Sequence, residues 1–272
     1  MKIPNKLIKF LLKKETSVLL PKRIIRLIIK KNRVFFLKTT LFKLPKNNYP
    51  FILSQSELNQ FFSISKNYKF ELPLTEFPQL ALVLNLIFNK KKKFKFLDFG
   101  AQYIDNYFFI KNKNNNIKYF YCDQEKNNIT VKEFNKKKKL KDFIVLKNYK
   151  KIKNYKFDFI NFGSVIQYID EPESLIKEIT FNKPQYLFFN GVNMFWGNRS
   201  KKIICKQLNT FPKVNYCHFF QYDYFKKFIK SQKYNLIYVA KNQNSSIINY
   251  SNLKESISKD CKYLDLLFKL KK

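Results

Sequence analysis

Three short apolar runs, each ending in an acidic or small residue, constrain the fold of this chain more than any other feature. They are Lys95–Gly100 (KFLDFG), Ile117–Asp123 (IKYFYCD) and Phe157–Gly163 (FDFINFG). A buried parallel strand has this pattern as it reaches its carboxyl edge, and ligands bind at that edge in open α/β sheets. Asp123 follows Asp98 by 25 positions, close to the spacing at which a carboxylate meets ribose hydroxyls. The pattern predicts an α/β domain for a nucleotide-type cofactor.

The rest of the chain continues the alternation of strands and helices. Helices are predicted at Ser54–Phe62, Phe77–Asn89, Glu171–Phe181 and Tyr222–Ser231, the third of them capped by Asp170. Strands are predicted at Phe94–Phe99, Lys118–Cys122, Phe143–Leu146, Phe157–Asn161, Gln185–Asn190, Leu236–Val239 and Tyr263–Leu270. Alternating β and α elements imply right-handed crossovers. We therefore expect a seven-stranded, mostly parallel sheet with Phe94–Phe99 near its centre.

The net charge of +35 has two explanations. A strongly basic chain is typical of nucleic-acid-binding proteins. However, only four of the 54 basic residues are Arg, and the abundant residues are Lys, Asn, Ile, Phe and Tyr, which AT-rich codons encode. Arg is also the residue preferred for bidentate contacts to bases and phosphates. We therefore attribute much of the charge to composition and keep nucleic-acid binding as the less favoured alternative.

The N-terminal region, residues 1–75, is predicted to be a basic extension of helix and loop before an α/β domain at residues 76–272. Its first 48 residues hold 14 basic side chains and one acid. Within Pro21–Lys31, apolar residues form one helical face and basic residues the other. Such a helix can lie on an anionic membrane surface, or pack its apolar face on the main domain. We favour packing on the domain.

The cysteines and the single histidine argue against a metal site or a disulfide framework. Cys122, Cys205, Cys217 and Cys261 are scattered, with no Cys-x-x-Cys pair. No apolar run approaches the roughly 20 residues that span a bilayer, and the first residues lack a signal-peptide pattern. We expect a cytoplasmic protein, with peripheral contact at the inner membrane face as the alternative that residues 1–48 leave open.

Several segments occur in the order of a known family. They are Leu97-Asp98-Phe99-Gly100 with Tyr107-Phe108, Asp123-Gln124, Gly163-Ser164-Val165-Ile166-Gln167-Tyr168-Ile169 before Asp170-Glu171-Pro172, and Tyr216-Cys217-His218-Phe219-Phe220. From about Glu76 to Leu270 the chain resembles class I S-adenosylmethionine-dependent methyltransferases, closest to a branch associated with surface-polysaccharide gene clusters. The resemblance implies a Rossmann-like sheet with an antiparallel last strand, S-adenosylmethionine as cofactor, and a sugar or other small polar acceptor.

The chain departs from this family where the cofactor binds. Only the first glycine of the turn after the first strand is present, in Gly100-Ala101-Gln102-Tyr103-Ile104-Asp105. Ile104 takes the place of a later glycine, where a β-branched side chain adds bulk and disfavours positive φ. Asn190-Gly191-Val192 replaces a charged strand end. A second hypothesis is therefore a methyltransferase fold that has lost its cofactor and serves as a binding or scaffold protein.

The resemblance assigns roles to particular residues. Asp98 would hold the glycine turn and the amino group of the methionine moiety, or alternatively only cap the turn. Asp123, followed by Gln124, would accept the ribose hydroxyls, the alternative being a solvent-exposed acid at a strand end. The remaining candidates are Gly100 and Ala101 for backbone contact, and Ser164 and Gln167 at the mouth between cofactor and acceptor.

A catalytic base is not evident in the sequence. His218 has a near-neutral unperturbed pKa, and Tyr168 has a hydroxyl, but each has a simpler interpretation as a packed aromatic residue. Methyl transfer from a sulfonium depends mostly on alignment of the reacting atoms. The lack of an obvious base therefore does not exclude a methyltransferase.

Overall fold

The computed structural model describes residues 34–45, 52, 54–59, 78–87, 93–101, 104–113, 116–197, 200–210, 213–246, 248–250, 253 and 260–271. The amphipathic segment Pro21–Lys31 lies outside these residues, as do Gln102 and Tyr103 of the turn. Among the described residues, no helix is long and apolar enough to cross a membrane.

Eleven strands of the described residues form one sheet. They are β1 (Val34–Lys38), β2 (Phe94–Phe99), β3 (Ile117–Cys122), β4 (Phe143–Val145), β5 (Phe159–Gly163), β6 (Tyr186–Phe195), β7 (Lys202–Thr210), β8 (Lys213–Gln221), β9 (Tyr234–Lys241), β10 (Ile248–Asn249) and β11 (Lys262–Leu270). The order is β10-β1-β7-β8-β6-β5-β2-β3-β4, with β11 pairing β6 and β9. The central strands β4, β3, β2, β5 and β6 are parallel, and β2 is interior, as predicted.

The central parallel strands are buried on both faces, as expected where helical crossovers cover a sheet. In β2 and β3 every residue except one lysine is buried, which is the near-continuous apolar pattern of a covered parallel strand. On one face, the Phe96 ring stacks between Tyr119 and Phe159, with centroid distances of 5.4 and 5.3 Å. On the other face, Phe162 stacks on Phe189 at 4.6 Å. Aromatic packing on both faces thus replaces the smaller aliphatic residues usual in such sheets.

In the described part of the chain, the helices of eight or more residues are α1 (Pro78–Ile87), α2 (Asp105–Lys113), α3 (Glu125–Lys138), α4 (Pro172–Ile179) and α5 (Tyr222–Ser231). Residues 55–59 are also helical. The prediction that Asp170 caps α4 is wrong. Glu171 occupies the N-cap position without a side-chain hydrogen bond, and the Asp170 carboxylate accepts from the backbone N–H of Leu44 at 3.0 Å. A distant loop therefore takes the carboxylate that the local pattern assigned to the helix.

The largest difference from the sequence prediction is an antiparallel extension. The prediction assigned no strand to residues 1–75 or to residues 191–221, whereas β1, β7 and β8 lie there. Strand β6 continues past the predicted end at Asn190 to Phe195, and Met194 and Phe195 pair with β8 where β5 has ended. The β7–β8 hairpin consequently lies beyond the carboxyl end of β5, and β1 adds to its far side.

The last strand, β11, is antiparallel to both β6 and β9, as the resemblance implied. Its register shifts between Leu264 and Leu266, opposite Asn190 and Gly191 of β6. Gly191 has φ +62°, and a Cβ there would lie 2.4 Å from the Tyr263 hydroxyl oxygen. A residue without a side chain is therefore required at this bulge.

Candidate active site

The carboxyl ends of β2, β3 and β5 meet at one edge of the sheet. The backbone N–H of Gly100, just past β2, donates to the carbonyl oxygen of Cys122 at 2.8 Å, which brings the turn beside Asp123. A Cβ on Gly163 would lie 3.3 Å from the Gly100 carbonyl oxygen, so the end of β5 and Ser164 border the same turn. The edge therefore carries residues of three separate sequence segments.

Asp98 lies inside this edge and does not reach its surface. It is fully buried, and its carboxylate accepts from Asn106 Nδ2 at 2.9 Å, from Asn161 Nδ2 at 2.8 Å, and from the Tyr119 hydroxyl. Burial raises the pKa of Asp98, while the three donors oppose that rise. With three protein donors bound, Asp98 joins β2, β3, β5 and α2, and serves as an internal anchor for the turn that follows it.

Asp123 occupies a more open position at the end of β3. Its Oδ1 accepts from the backbone N–H of Gln124 at 2.6 Å, and its Oδ2 from Asn127 Nδ2 at 3.2 Å and the Tyr121 hydroxyl at 3.3 Å. Asn128 binds both backbone groups of Asp123, which holds the strand end against the start of α3. Burial raises the pKa of Asp123 to about 6. A carboxylate has about four acceptor positions, so three donors leave room for a ligand hydroxyl.

The turn after β2 packs inward. Gly100 has φ +68°, and a Cβ there would lie 2.4 Å from Val165 Cβ, so the glycine permits close contact with the segment after β5. Ala101 and Ile104 are buried in the core, and Ile104 is not among the described residues with positive φ. We predicted from the sequence that the Ile104 side chain adds bulk where the cofactor binds. The structure places its side chain in the core instead.

Ser164 and Gln167 belong to a network between β5, β6 and β11. Ser164 has φ +56°, and its hydroxyl contacts the carbonyl oxygen of Gly191 at 3.2 Å and the Tyr263 hydroxyl. Gln167 Nε2 lies 3.3 Å from the Ser164 Oγ, and its Oε1 accepts from the backbone N–H of Asn193 at 3.1 Å. Ser164 is partly exposed and Gln167 is buried, so only the serine is placed at the rim.

Neither candidate base has the setting of a proton acceptor at this edge. The Tyr168 hydroxyl donates to Gln207 Oε1 at 3.0 Å, and burial raises the tyrosine pKa. His218 is buried, with Nε2 3.3 Å from the Asp170 carbonyl oxygen. Burial and the nearby Lys202 lower the pKa of His218, which favours the neutral form of the ring. Its contacts lie with the segment before α4 and with the Phe220 ring on β8, whose centroid is 5.9 Å away.

Asp98, predicted from the sequence, belongs to a row of four polar side chains whose other three members were not predicted as site residues. We call Asp98, Asn161, Asn190 and Asp265 the polar row, because they lie on one face of the adjacent strands β2, β5, β6 and β11. The first three each follow a phenylalanine of the same core cluster by two positions, and all four are buried. The sequence does contain a signal for these residues, because each is a polar residue within an apolar run of its strand.

The polar row and Asn106, which donates to Asp98 from α2, leave several atoms without partners. Among the described residues, no hydrogen bond reaches the Oδ1 atoms of Asn106 and Asn161, the Nδ2 atom of Asn190, or the Oδ2 atom of Asp265. Buried polar groups are nearly always hydrogen-bonded, and exceptions mark a missing water, ion or ligand. Four of the seven such atoms among the described residues lie in or beside the polar row, which makes it the first candidate position for a bound water or ligand.

Comparisons with known proteins support the fold. No protein-family model matches the sequence, and no curated protein sequence matches it. The N-terminal domain of EvdMO1 with SAH bound aligns over 82% of this chain and 100% of that chain, with 7% identity and a TM-score of 0.51. The same domain in the presence of SAH and D-fucose gives 6% identity, the same coverage and a TM-score of 0.50.

A second neighbour is the 1,6-didemethyltoxoflavin-N1-methyltransferase of Burkholderia thailandensis with bound 1,6-didemethyltoxoflavin and S-adenosylhomocysteine. It aligns over 80% of this chain and 87% of that chain, with 8% identity and a TM-score of 0.50. These likenesses show that the chain has the Rossmann-like fold of class I methyltransferases. The fold-class prediction is thereby confirmed.

Proposed function

We propose that this protein is an S-adenosylmethionine-dependent methyltransferase that acts on a sugar or another small polar acceptor. One observation carries the proposal: a partly exposed carboxylate, Asp123, stands at the end of β3 directly beside the Gly100 turn at the end of β2. The fold and the structural neighbours that hold S-adenosylhomocysteine support the same cofactor. The acceptor class rests on the sequence resemblance.

The ribose end of the cofactor fits Asp123. The Gln124 N–H, the Asn127 amide and the Tyr121 hydroxyl orient the carboxylate and leave it about one acceptor position for a ribose hydroxyl. When bound, S-adenosylmethionine supplies an electrophilic methyl group on a sulfonium. Alignment of that group with the acceptor provides most of the rate gain, so the protein's main task is positioning.

The methionine end of S-adenosylmethionine fits the two asparagines that donate to Asp98. Asn106 Oδ1 and Asn161 Oδ1 are buried acceptors without described donors, and their amide nitrogens are fixed on the Asp98 carboxylate. Two free acceptors next to a buried acid suit an ammonium group, which carries three donors and no acceptor. In this proposal Asp98 acts through the two asparagines, as a positioning residue that fixes their oxygens.

Calorimetric titration with S-adenosylhomocysteine tests the proposal. We expect wild-type protein to bind, and Asp123→Ala to reduce affinity at least tenfold because the ribose hydroxyls lose a charged acceptor. Asp223→Ala is the matched control, since Asp223 is half-exposed in the first turn of α5, in a surface ion pair with Lys226. Absence of binding by folded wild-type protein, or equal binding by both variants, would contradict the proposal.

The inward packing of the turn supports a second candidate, a methyltransferase-fold scaffold without cofactor. Val165 covers Gly100, and Ala101 and Ile104 are buried in the core. These residues close part of the space that glycines leave open in the related enzymes. The same titration separates the two candidates, because a scaffold of this kind would remain folded and show no binding of S-adenosylhomocysteine.

A further inference from the structure

The far end of the polar row holds two unpartnered atoms that the cofactor proposal does not use. They are Asp265 Oδ2 on β11 and Asn190 Nδ2 on β6, and both residues are fully buried. A buried carboxylate oxygen and a buried amide N–H each carry a desolvation cost when nothing binds them. Two such atoms on adjacent strands indicate one shared ligand group.

The two side chains are linked through Asn242, which follows β9. Asn242 Nδ2 donates to Asp265 Oδ1 at 2.7 Å and to Asn190 Oδ1 at 3.1 Å. The backbone N–H of Gly191 also donates to Asp265 Oδ1, at 2.7 Å. Each side chain is thus fixed through one oxygen and presents its other terminal atom, an acceptor on Asp265 and a donor on Asn190.

This pair adjoins the edge proposed for the cofactor. Gly191 donates its N–H to Asp265, and its carbonyl oxygen lies 3.2 Å from the Ser164 hydroxyl. Ser164 follows Gly163, which borders the Gly100 turn. A ligand group held by Asp265 and Asn190 would therefore lie on the β6 and β11 side of the same edge, the side opposite Asp123.

The chemistry of the pair selects the ligand group. An ammonium ion has no lone pair for the Asn190 N–H, and an anion is repelled by the Asp265 carboxylate. Burial raises the pKa of Asp265 only to about 6, so the group is mostly ionised at neutral pH. A hydroxyl group satisfies both atoms, since it donates to the carboxylate and accepts from the amide.

We propose that Asp265 and Asn190 form a subsite for a hydroxyl group of the methyl acceptor, and that the acceptor is a neutral, hydroxyl-bearing molecule at this point. The inference rests on the proposed function and narrows it. The proposal also explains the bulge in β6, because Gly191, with φ +62°, connects the subsite to Ser164.

The test uses ligand-observed saturation-transfer NMR on the full chain with S-adenosylhomocysteine present. The probes are methyl β-D-glucopyranoside and glycerol as neutral polyols, and methyl β-D-glucuronide as the anionic match of the first. We expect a neutral probe to bind wild-type protein at least tenfold more tightly than the glucuronide. Asp265→Asn, which replaces the free acceptor with a second donor, should weaken neutral-probe binding at least tenfold.

Controls separate the possible results. Asp223→Asn should bind the probes like wild type, and Asn190→Ala gives a second variant that removes the donor if Asp265→Asn does not fold. Calorimetry with S-adenosylhomocysteine runs in parallel, since neither substitution should change the binding of S-adenosylhomocysteine.

Probe binding without S-adenosylhomocysteine binding would support the subsite and contradict the proposed methyltransferase function. S-adenosylhomocysteine binding with no neutral-probe binding, or with probe binding unaffected by either substitution, would overturn the subsite and assign the pair to an internal water.

Discussion

Two adjacent strands of this protein end in aspartates whose environments are different. Asp98 on β2 is fully buried with three side-chain donors on its carboxylate, while Asp123 after β3 is partly exposed and held by its own helix start. From the sequence spacing, both aspartates are predicted to bind the cofactor. Each carboxylate accepts from three protein donors, so the contrast teaches that position at a strand end brings a carboxylate to the edge, whereas burial decides whether it can also meet a ligand.

The contrast predicts that Asp98 dominates stability. Asp98→Ala leaves the buried donors of Tyr119, Asn106 and Asn161 unpaired, so we expect the free energy of unfolding to fall by about 4 kcal/mol. Urea denaturation followed by circular dichroism measures the change. Tyr119→Phe, which removes one of the three donors, should cost less. A loss below about 1 kcal/mol for Asp98→Ala would show that Asp98 is not the internal anchor.

Ile104 tests whether the turn between the two aspartates belongs to the core. Its side chain is fully buried, so Ile104→Gly should lower the free energy of unfolding by about 3 kcal/mol, with Ile104→Val costing about 1 kcal/mol. Binding of S-adenosylhomocysteine should not improve. Tighter binding of S-adenosylhomocysteine with little loss of stability would instead show that the Ile104 side chain obstructs the ligand site.

Gly100 links the two strand ends and tolerates no side chain. Gly100→Ala places a Cβ 2.4 Å from Val165 Cβ on a backbone with φ +68°, and should cost about 2 kcal/mol. Thermal unfolding compared with Gly197→Ala provides the control, because nothing lies within 4 Å of a Cβ at Gly197, although φ there is also positive. Equal losses in the two variants would assign the cost to backbone strain alone.

Asp123 should contribute least to stability and most to binding. Asp123→Asn keeps the shape of the side chain, so we expect a change below about 1 kcal/mol in the free energy of unfolding at pH 4, where the folded carboxyl is protonated. Because burial raises the pKa of Asp123 from 3.8 to about 6, ionisation opposes folding, and stability falls as pH rises through that window. Urea unfolding at pH 4, 5, 6 and 7 should show a shallower fall in the variant. An unchanged pH dependence would place Asp123 in solvent.

The central sheet was predictable because its signals are local. Strands buried on both faces require continuous apolar runs. The apolar runs around Phe96, Phe120 and Ile160 therefore predict β2, β3 and β5 from the sequence. The antiparallel extension was not predicted, since β7 and β8 mix polar and apolar residues and depend on each other and on β1 for pairing. The prediction that Asp170 caps α4 was wrong for a related reason. The backbone N–H of Leu44, 126 positions away, donates to the Asp170 carboxylate.

The sequence by itself determined which residues reach the carboxyl edge, since strand length and alternation place Asp98, Asp123 and Ser164 there without reference to other segments. Only the tertiary structure decided what each does, because hydrogen-bond partners come from distant parts of the chain. Asn161, 63 positions away, makes Asp98 an anchor. Asn242 and Gly191 likewise turn Asp265, which has no motif of its own, into half of a proposed hydroxyl subsite.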